Sequence, residues 1–329
     1  MTNVGAAIIG IGSYLPEKVL SNTDFEKFLD TSDEWITTRT GIKQRRVAAD
    51  TESTMDLATN AARKAIEDAR IDPNLIELIV VSTFTPDMPL PSTACFVQQK
   101  LGLKNCAAFD IAAACSGFIY GLTTGSQFIR SGQYKNVLVI GAESITRVTD
   151  YKDRGSCILF GDGAGAVVLS ATTEPGRGVR YTKLAADGDG WNLLYIPGGG
   201  SKTPASAQTV ENRDHYIKLN GREVYKFAVH KMQMLIEDAM EQCKLTVEDI
   251  AMVVPHQVNQ RIIDSACSHC GFPVEKVFIN IDRTGNTSAA SIPIALDEAK
   301  RTGKIKAGDT ILMVAFGAGL TWGSAVVKM

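Results

Sequence analysis

The sequence contains no apolar run that approaches the roughly 20 residues of a membrane-spanning helix. It also contains no stretch rich in lysine and arginine, and 34 basic residues stand against 36 acidic ones, for a net charge of −2. We therefore expect no nucleic acid partner, because phosphate binding needs concentrated positive charge. The first residues, Met1-Thr2-Asn3, lack the basic start of a secretory signal peptide. The expectation is a cytoplasmic protein with no membrane partner.

A disulfide framework and a metal cluster are both poorly supported. The seven cysteines are an odd number, scattered through a chain of 329 residues that is long enough to build a sizeable core without cross-links. Reduced thiols in the cytosol are the simplest interpretation. His269 lies between Cys267 and Cys270, but no second ligand pair stands nearby in the sequence, so no metal site is predicted.

Complete nucleotide-binding motifs are missing as well. Gly10–Gly12 lacks the third glycine of a dinucleotide fingerprint. Gly198–Lys202 lacks the spacing of a phosphate loop and lies in a long irregular excursion, residues 187–220, where a flexible loop is predicted. No cofactor is expected.

Short apolar strands alternate with longer helical patterns along the chain, which is typical of an α/β fold. A helix is predicted from Ser53, with Asp56 three residues later as its capping partner, followed by the strand Leu78–Ser82. A helix from about Arg222 to Cys243 and the strand Ile250–Val254 repeat this order in the second half.

Later strands repeat too. Lys135–Gly141 resembles Asp309–Gly317, and Gly165–Ser170 resembles Gly323–Lys328. Two fused copies of one supersecondary unit are the economical explanation. The join is predicted where glycine and proline cluster near Ala171–Val179, which divides the chain into halves 1–171 and 172–329.

Cys115 follows a run of small residues and precedes a helical pattern that continues through Arg130. At such a strand-to-helix junction, free N–H groups and the positive helix end favour thiolate over thiol. Gly117, Gly121 and Gly125 recur on one face of the helix and predict a close approach by another backbone. The alternative is that Cys115 is a small buried apolar residue.

His256 and Asn286 each follow an apolar segment. His256 comes directly after a predicted strand, at the end where α/β sheets place their chemistry. Asn286 lies in another strand-to-helix turn, where a plain turn or capping role is the alternative. Ala315–Leu320 forms a glycine-rich turn after a strand, which can direct backbone N–H groups into a site.

Three motifs follow Cys115 in order: Pro255–Asn259 (PHQVN), Thr284–Ser291 (TGNTSAAS) and Ala315–Gly323 (AFGAGLTWG). Together with Thr31–Ile36 and Phe160–Gly165, they closely resemble the β-ketoacyl-acyl-carrier-protein synthase III family, over essentially the whole chain. The resemblance implies a thiolase-like fold with a five-layered αβαβα sandwich, a homodimer, and a Cys-His-Asn triad at Cys115, His256 and Asn286.

The resemblance also implies an activity: an acyl-CoA primer, with acetyl-CoA expected, condenses with malonyl-acyl carrier protein to initiate fatty acid biosynthesis. It places the oxyanion hole at the N–H groups of Cys115 and Ala318, and the acyl pocket at Leu90 and Phe316. Carrier-protein contacts fall on Lys226 and Arg261. Coenzyme A contacts fall on Trp35, Arg39, Arg154, Gly221 and Asn259.

Two departures from the family pattern affect these expectations. Ala318 stands where relatives commonly have glycine, so its methyl group is tolerable only at a suitable φ. Leu90 stands where some relatives carry phenylalanine, at the point where the partner subunit would close the acyl pocket. A smaller side chain there leaves the identity of the primer open. The alternatives are a condensing enzyme of polyketide or secondary metabolism, and a non-catalytic scaffold or thiol-redox regulator.

Overall fold

Two mixed β-sheets form the centre of the structure, a computed structural model that describes residues 4–329. Apolar side chains of the strands are buried on both faces of each sheet, as expected when helices cover both sides. The strands are β1 (Gly5–Tyr14), β2 (Lys18–Ser21), β3 (Gln44–Val47), β4 (Leu78–Ser82), β5 (Ala107–Ile111), β6 (Asn136–Glu143), β7 (Gly163–Thr172), β8 (Gly178–Ala186), β9 (Leu194–Tyr195), β10 (Lys218–Leu219), β11 (Met252–Pro255), β12 (Thr310–Gly317) and β13 (Thr321–Lys328).

The helices follow the predicted alternation with the strands. They are α1 (Asn22–Phe25), α2 (Asp33–Thr40), α3 (Thr54–Ala69), α4 (Thr93–Leu101), α5 (Gly117–Arg130), α6 (Ala207–Glu211), α7 (Gly221–Cys243), α8 (Gln260–His269), α9 (Ile281–Thr284) and α10 (Ser291–Arg301). Short 3₁₀ turns join some of them, including Ala114–Ser116 and Ser288–Ala290. Within residues 4–329, every helix is too short or too polar to span a bilayer.

The two sheets draw their strands from different parts of the chain. The first has the order β1-β7-β6-β4-β5, and the second has the order β11-β12-β13-β8. In each sheet, two parallel strands lead into antiparallel partners: β4 with β6 and then β7, and β11 with β12 and then β13. The repeated order of these strands follows the repeat read from the sequence.

Three helical layers alternate with the two sheets. Helix α3 covers the outer face of the first sheet with a row of buried alanines, and α7 and α8 cover the outer face of the second. Helices α5 and α10 share one apolar core with strands of both sheets and so lie between them. The layers are therefore α, β, α, β and α, as the family resemblance implied.

Most of the local sequence signals, such as caps and glycine spacing, correspond to the structural features that they predicted. Ser53 and Asp56 form the predicted capping box at the start of α3. The close approach at the α5 glycines is made by side chains of the first sheet rather than by a backbone: a methyl group on Gly121 would lie 2.8 Å from Oγ of Ser82 and 3.0 Å from Cγ1 of Val139. The glycines thus let α5 lie close to the strands.

Residues 187–220 are more ordered than the predicted flexible loop. They contain the pair of short strands β9 and β10, the helix α6 and the 3₁₀ turn Gly188–Leu193. The sequence missed this order because the elements are only two to six residues long and carry little periodicity.

Candidate active site

Cys115 lies where β5 gives way to α5, in the 3₁₀ turn Ala114–Ser116. Its neighbour Ala114 has φ +44°, a left-handed conformation that non-glycine residues rarely adopt and that concentrates at functional sites. The side chain of Cys115 is buried, with 8% of its surface exposed. The junction predicted from the sequence is therefore present and holds the sulfur in a fixed, desolvated position.

The protonation state of Cys115 differs from the sequence-based expectation. Burial raises the pKa of this thiol to about 12, against a smaller lowering by a hydrogen bond with Ser288. Burial therefore opposes the effect of the helix end, which the sequence indicated would favour thiolate over thiol. Desolvation outweighs the helix end because burial penalises the charged form directly.

His256 directly follows β11 and is fully buried. Its Nδ1 lies 2.6 Å from Oγ of Ser291, at the start of α10, while its Nε2 has no hydrogen-bond partner. Burial lowers the pKa of His256 to about 3. The ring is therefore neutral at physiological pH, and its second nitrogen is available to a substrate.

Asn286 is held by both its backbone and its side chain. Its N–H donates to the carbonyl of Leu159 at 2.8 Å, and its own carbonyl accepts from the N–H of Gly161 at 3.1 Å. Its Oδ1 accepts from the N–H of Ser288 at 2.9 Å. The amide nitrogen is thus left as the free donor of the side chain.

One cavity of about 360 Å³ brings these three side chains together. Cys115, His256 and Asn286 all line it, and Phe316 packs its ring edge-on to His256 at a centroid distance of 5.8 Å. Its other walls are largely apolar and include Val224, Val258 and Leu320. The predicted triad therefore shares one largely apolar pocket, although its members come from distant parts of the chain.

A second cavity of about 280 Å³ meets the first at Cys115. Ala114 and Ala318 lie beside Cys115 in its wall. The remaining lining is almost entirely apolar: Phe84, Ile145, Phe160, Leu194, Tyr195, Ile196 and Ile217. Four of these residues belong to the excursion 187–220, so this segment forms a wall of the site. The shape suits a short apolar group attached to the sulfur.

Ala318 follows the end of β12 and reaches Cys115 because Gly317 permits a close approach. A methyl group on Gly317 would lie 2.6 Å from the backbone N of Cys115. Ala318 is not among the non-glycine residues with positive φ, so its own methyl group is sterically acceptable. The backbones of Cys115 and Ala318 thus line the same pocket, as a pair of N–H donors to one oxygen requires.

The mouth of the larger cavity carries the residues predicted for coenzyme A. Trp35, Arg39, Gly221 and Asn259 line it. The guanidinium groups of Arg39 and Arg154 lie 5.0 and 4.7 Å from the ring centroid of Trp35. Two cations on one indole make a platform for a planar, anionic ligand. The side chain of Asn259 caps α8 and donates to the carbonyl of Arg39 at 3.0 Å, which ties the two sides of the mouth together.

Of the remaining predicted residues, Phe316 lines a cavity, whereas Leu90, Lys226 and Arg261 line neither. Leu90 is 82% exposed, and its predicted role, at the point where a partner subunit would close the acyl pocket, stays a prediction. Phe316 lines the larger cavity beside His256 and not the second cavity, and its predicted acyl-pocket role stays a prediction. Lys226 and Arg261 are exposed on α7 and α8, and Lys226 is paired with Glu223 at 2.9 Å.

Sequence reasoning missed several polar residues that support the triad. Gln257 is fully buried and accepts the N–H groups of Asn280 and Ile281, so it fastens the loop after His256. Glu143 is fully buried at the end of β6. A carboxylate directly after a buried apolar strand was the available signal, because unpaired acids are almost never buried. Among residues 4–329 no cluster of metal-ligating side chains is found, and His269 lies 3.5 Å from Glu237 on the surface.

Comparison with known proteins agrees with this geometry. Family profiles for 3-oxoacyl-[acyl-carrier-protein] synthase III match residues 109–188, and for its C-terminal part residues 240–329. The chain is similar to a β-ketoacyl-[acyl-carrier-protein] synthase III of Caldanaerobacter subterraneus subsp. tengcongensis, 56% identical over 99% of this chain and 98% of that protein.

Solved structures agree as well. The 3-oxoacyl-[acyl-carrier-protein] synthase III of Aquifex aeolicus is 48% identical, with a TM-score of 0.91 over 99% of this chain and 100% of that one. A priming β-ketosynthase of a polyketide biosynthetic pathway is 36% identical, with a TM-score of 0.90 over 98% and 96% of the two chains.

The fold and the triad define a condensing enzyme of the thiolase-like class, an acyltransferase. Within that class, the chain belongs to the β-ketoacyl-[acyl-carrier-protein] synthase III family. The family, fold and enzyme class predicted from the sequence are confirmed.

Proposed function

We propose that this chain condenses a short acyl-CoA with malonyl-acyl carrier protein, giving a 3-oxoacyl-acyl carrier protein, carbon dioxide and coenzyme A, and so initiates fatty acid biosynthesis. The observation that carries this proposal is the position of Cys115 between two cavities. One cavity is apolar and suits the acyl group, and the other contains His256 and Asn286 and leads to the surface.

In the first half-reaction, the sulfur of Cys115 attacks the thioester carbonyl of the primer and coenzyme A leaves. The negative charge that develops on the carbonyl oxygen is stabilised by the N–H groups of Cys115 and Ala318. The acyl group then occupies the second cavity. Because desolvation raises the pKa of the Cys115 thiol to about 12, its proton must be removed as the new bond forms.

In the second half-reaction, malonyl-acyl carrier protein occupies the larger cavity. The Nε2 of His256 and the amide nitrogen of Asn286 donate hydrogen bonds to its thioester carbonyl. Carbon dioxide leaves, and the electron pair of the broken bond becomes an enolate that these donors stabilise. The enolate carbon attacks the acyl group on Cys115, which releases the sulfur. A neutral histidine suits this role because it donates without adding a charge to the pocket.

The two acyl groups arrive on different carriers, coenzyme A and the acyl carrier protein, and residues at the mouth of the larger cavity suit both. Trp35, Arg39 and Arg154 provide a stacking surface and positive charge for the nucleotide end of coenzyme A, with Gly221 and Asn259 along the pantetheine path. Lys226 and Arg261 are exposed near this mouth, on helices whose neighbouring residues line it. Both are available to the acidic surface of a carrier protein.

Acetyl-CoA is the proposed primer, and a different primer of polyketide or secondary metabolism is the second candidate. The second candidate is favoured by the likeness to a priming β-ketosynthase of a polyketide pathway and by the size of the apolar cavity, about 280 Å³. That volume exceeds the needs of a two-carbon acyl group.

A homodimer in the cytoplasm completes the proposal. Strand β5 is an edge of the first sheet, and Leu90 and Met88 expose apolar side chains, features that support a partner chain on this side. In such a dimer Leu90 would act on the partner's acyl pocket. All seven cysteines are free, which supports a reducing compartment.

The test is incubation with malonyl-acyl carrier protein and a panel of acyl-CoAs of increasing length and branching, with products identified by mass. The proposal predicts a 3-oxoacyl-acyl carrier protein two carbons longer than the primer, with acetyl-CoA among the best primers. Preference for a branched or longer primer would favour the second candidate. No condensation with any primer would overturn both.

A further inference from the structure

Glu143 is a fully buried carboxyl group that the two half-reactions above do not use. Its oxygens accept hydrogen bonds from Thr83 Oγ1 at 3.1 Å, from Thr85 Oγ1 at 2.6 Å and from Ser288 Oγ at 3.2 Å. The N–H groups of Phe84 and Thr85 also donate to it, at 3.3 and 3.2 Å. These donors favour the charged form of Glu143, against the desolvation that burial imposes on it.

Ser288 joins this carboxyl to the nucleophile. The 3₁₀ turn Ala114–Ser116 packs against the turn Ser288–Ala290, so the hydroxyl that donates to Glu143 lies beside Cys115. Ser288 lowers the pKa of the Cys115 thiol, and the charge of Glu143 raises it. The turn that carries Ser288 lies against β6 because Gly141 has no side chain: a methyl group there would lie 2.2 Å from the carbonyl oxygen of Ala289. Cys115, Ser288 and Glu143 thus lie in one row, in which Ser288 is hydrogen-bonded to Glu143.

We propose that Glu143 is a positioning residue for Cys115 that accepts the thiol proton through the hydroxyl of Ser288 when the primer thioester is attacked. This inference rests on the proposed role of Cys115 as nucleophile. It assigns the proton acceptor that the first half-reaction requires and that the triad does not supply.

The step balances in atoms and charge. The thiol proton passes to Oγ of Ser288 as the hydroxyl proton of Ser288 passes to Oε1 of Glu143. The sulfur–acyl bond forms, and the bond between the acyl carbon and the sulfur of coenzyme A breaks. The leaving thiolate then takes the proton back along the same row, which regenerates the Glu143 carboxylate and releases coenzyme A as a thiol.

The other candidate acceptor is weaker. Burial lowers the pKa of His256 to about 3, so its ring holds a proton poorly. Burial raises the pKa of Glu143 to about 8, close to the value that serves a general base near neutral pH. The Cys115 thiol is the ionisable group that faces this carboxyl, whose other contacts from Thr83, Phe84, Thr85 and Ser288 are uncharged.

The test is the rate of acyl transfer from acetyl-CoA to Cys115, measured by rapid quench and intact mass from about pH 6 to about pH 10. Two variants interrupt the row differently. Glu143→Gln keeps the shape but not the charge. Ser288→Gly removes the hydroxyl, keeps the N–H that holds Asn286, and suits the φ of +49° at this position.

The inference predicts that the parent rate rises with pH and levels off above the pKa of Glu143, about 8. Both variants should lose roughly 100-fold in rate at neutral pH, as expected for a lost general base, and should keep rising at alkaline pH. The double variant should be no slower than either single one, because both remove the same path. Melting temperatures near the parent value show that the variants fold.

Three outcomes would separate the possibilities. Faster acylation of Glu143→Gln at neutral pH would overturn the inference, because Glu143 would then only repel the thiolate. An unchanged pH profile in both variants would also overturn it. If the parent itself fails to acylate Cys115, the proposed function fails. If Glu143→Gln does not fold, the profile of Ser288→Gly decides alone.

Discussion

Ser291 Oγ lies 2.6 Å from Nδ1 of His256 and also accepts the N–H of Gln257 at 3.4 Å. The lone pairs of the hydroxyl are thus partly engaged, and its hydrogen is available to Nδ1. A neutral imidazole that accepts at Nδ1 carries its proton on Nε2, the nitrogen without a protein partner. Ser291 therefore favours the tautomer of His256 in which Nε2 carries the proton and can donate a hydrogen bond into the cavity.

The two half-reactions should separate when the donors are removed. His256→Ala and Asn286→Ala should still accept an acyl group from the primer, because neither residue is assigned to thiol activation. Release of carbon dioxide from malonyl-acyl carrier protein should fall by about 100-fold or more, the usual effect of losing a donor to a developing oxyanion. The measurements are acyl transfer by intact mass and carbon dioxide release.

Ser291→Ala is the matched control for this experiment. It leaves both donors in place but removes the group that fixes the proton on Nε2, so decarboxylation should fall less than in His256→Ala. Loss of acyl transfer in both triad variants, with decarboxylation intact, would reverse the assigned roles.

The stability of the protein should depend on pH through His256. Burial lowers its pKa from 6.5 to about 3. Between these values the unfolded chain binds a proton at this position that the folded chain does not, so the free energy of unfolding falls as pH drops from 6.5 towards 3. Above pH 6.5 this contribution to stability is fully present.

Thermal unfolding of the parent and of His256→Gln at about pH 7 and about pH 5 measures this effect. The parent should lose more stability on acidification than the variant, which cannot titrate at this position. Glu143 has a raised pKa and acts in the opposite direction, but it is common to both proteins and cancels in the comparison. Equal losses would show that His256 is not held neutral by burial.

Carrier-protein recognition should depend on local charge, because the chain as a whole is slightly acidic. Lys226→Glu and Arg261→Glu should raise the KM for malonyl-acyl carrier protein and flatten its dependence on salt. Exposed charges of this kind contribute about 1 kcal/mol or less each, so a several-fold change in KM is expected. Acyl transfer from acetyl-CoA should hardly change.

Lys306→Glu is the matched control for charge reversal, since Lys306 is exposed before β12, at the opposite end of the strand from Gly317. It should leave carrier kinetics as they are. An equal effect of Lys306→Glu would mean that only net charge matters. Equal damage with malonyl-CoA as a carrier-free substrate would indicate a distorted cavity rather than a lost surface.

The alternation of strands and helices, and the positions of Cys115, His256 and Asn286 at element ends, could be predicted because they leave local signals. Ser53 and Asp56 are a capping box that can be read three residues apart, and Cys115, His256 and Asn286 each stand directly after an apolar strand or turn. The resting charge of Cys115 was not predictable, because it depends on how completely distant elements bury the sulfur.

The other features that the sequence did not predict depend on contacts between segments that are distant in the chain. The link from Glu143 to Ser288 joins residues 145 positions apart, and nothing in either local pattern indicates the other. The two cavities depend on the excursion 187–220, whose short elements pack through single apolar side chains such as Ile196 and Ile217. Leu90 lines neither cavity of this chain, so its predicted contact with an acyl pocket depends on the proposed partner subunit.

The central claim, that Cys115 is the nucleophile, is tested most directly by mass spectrometry after incubation with acetyl-CoA. The account predicts a gain of one acetyl group, located by peptide mapping on Cys115. Cys115→Ser should gain little and lose condensation by orders of magnitude, because a serine hydroxyl is far less ionised than a thiol. Acetylation of another cysteine, with Cys115 unmodified, would contradict the account.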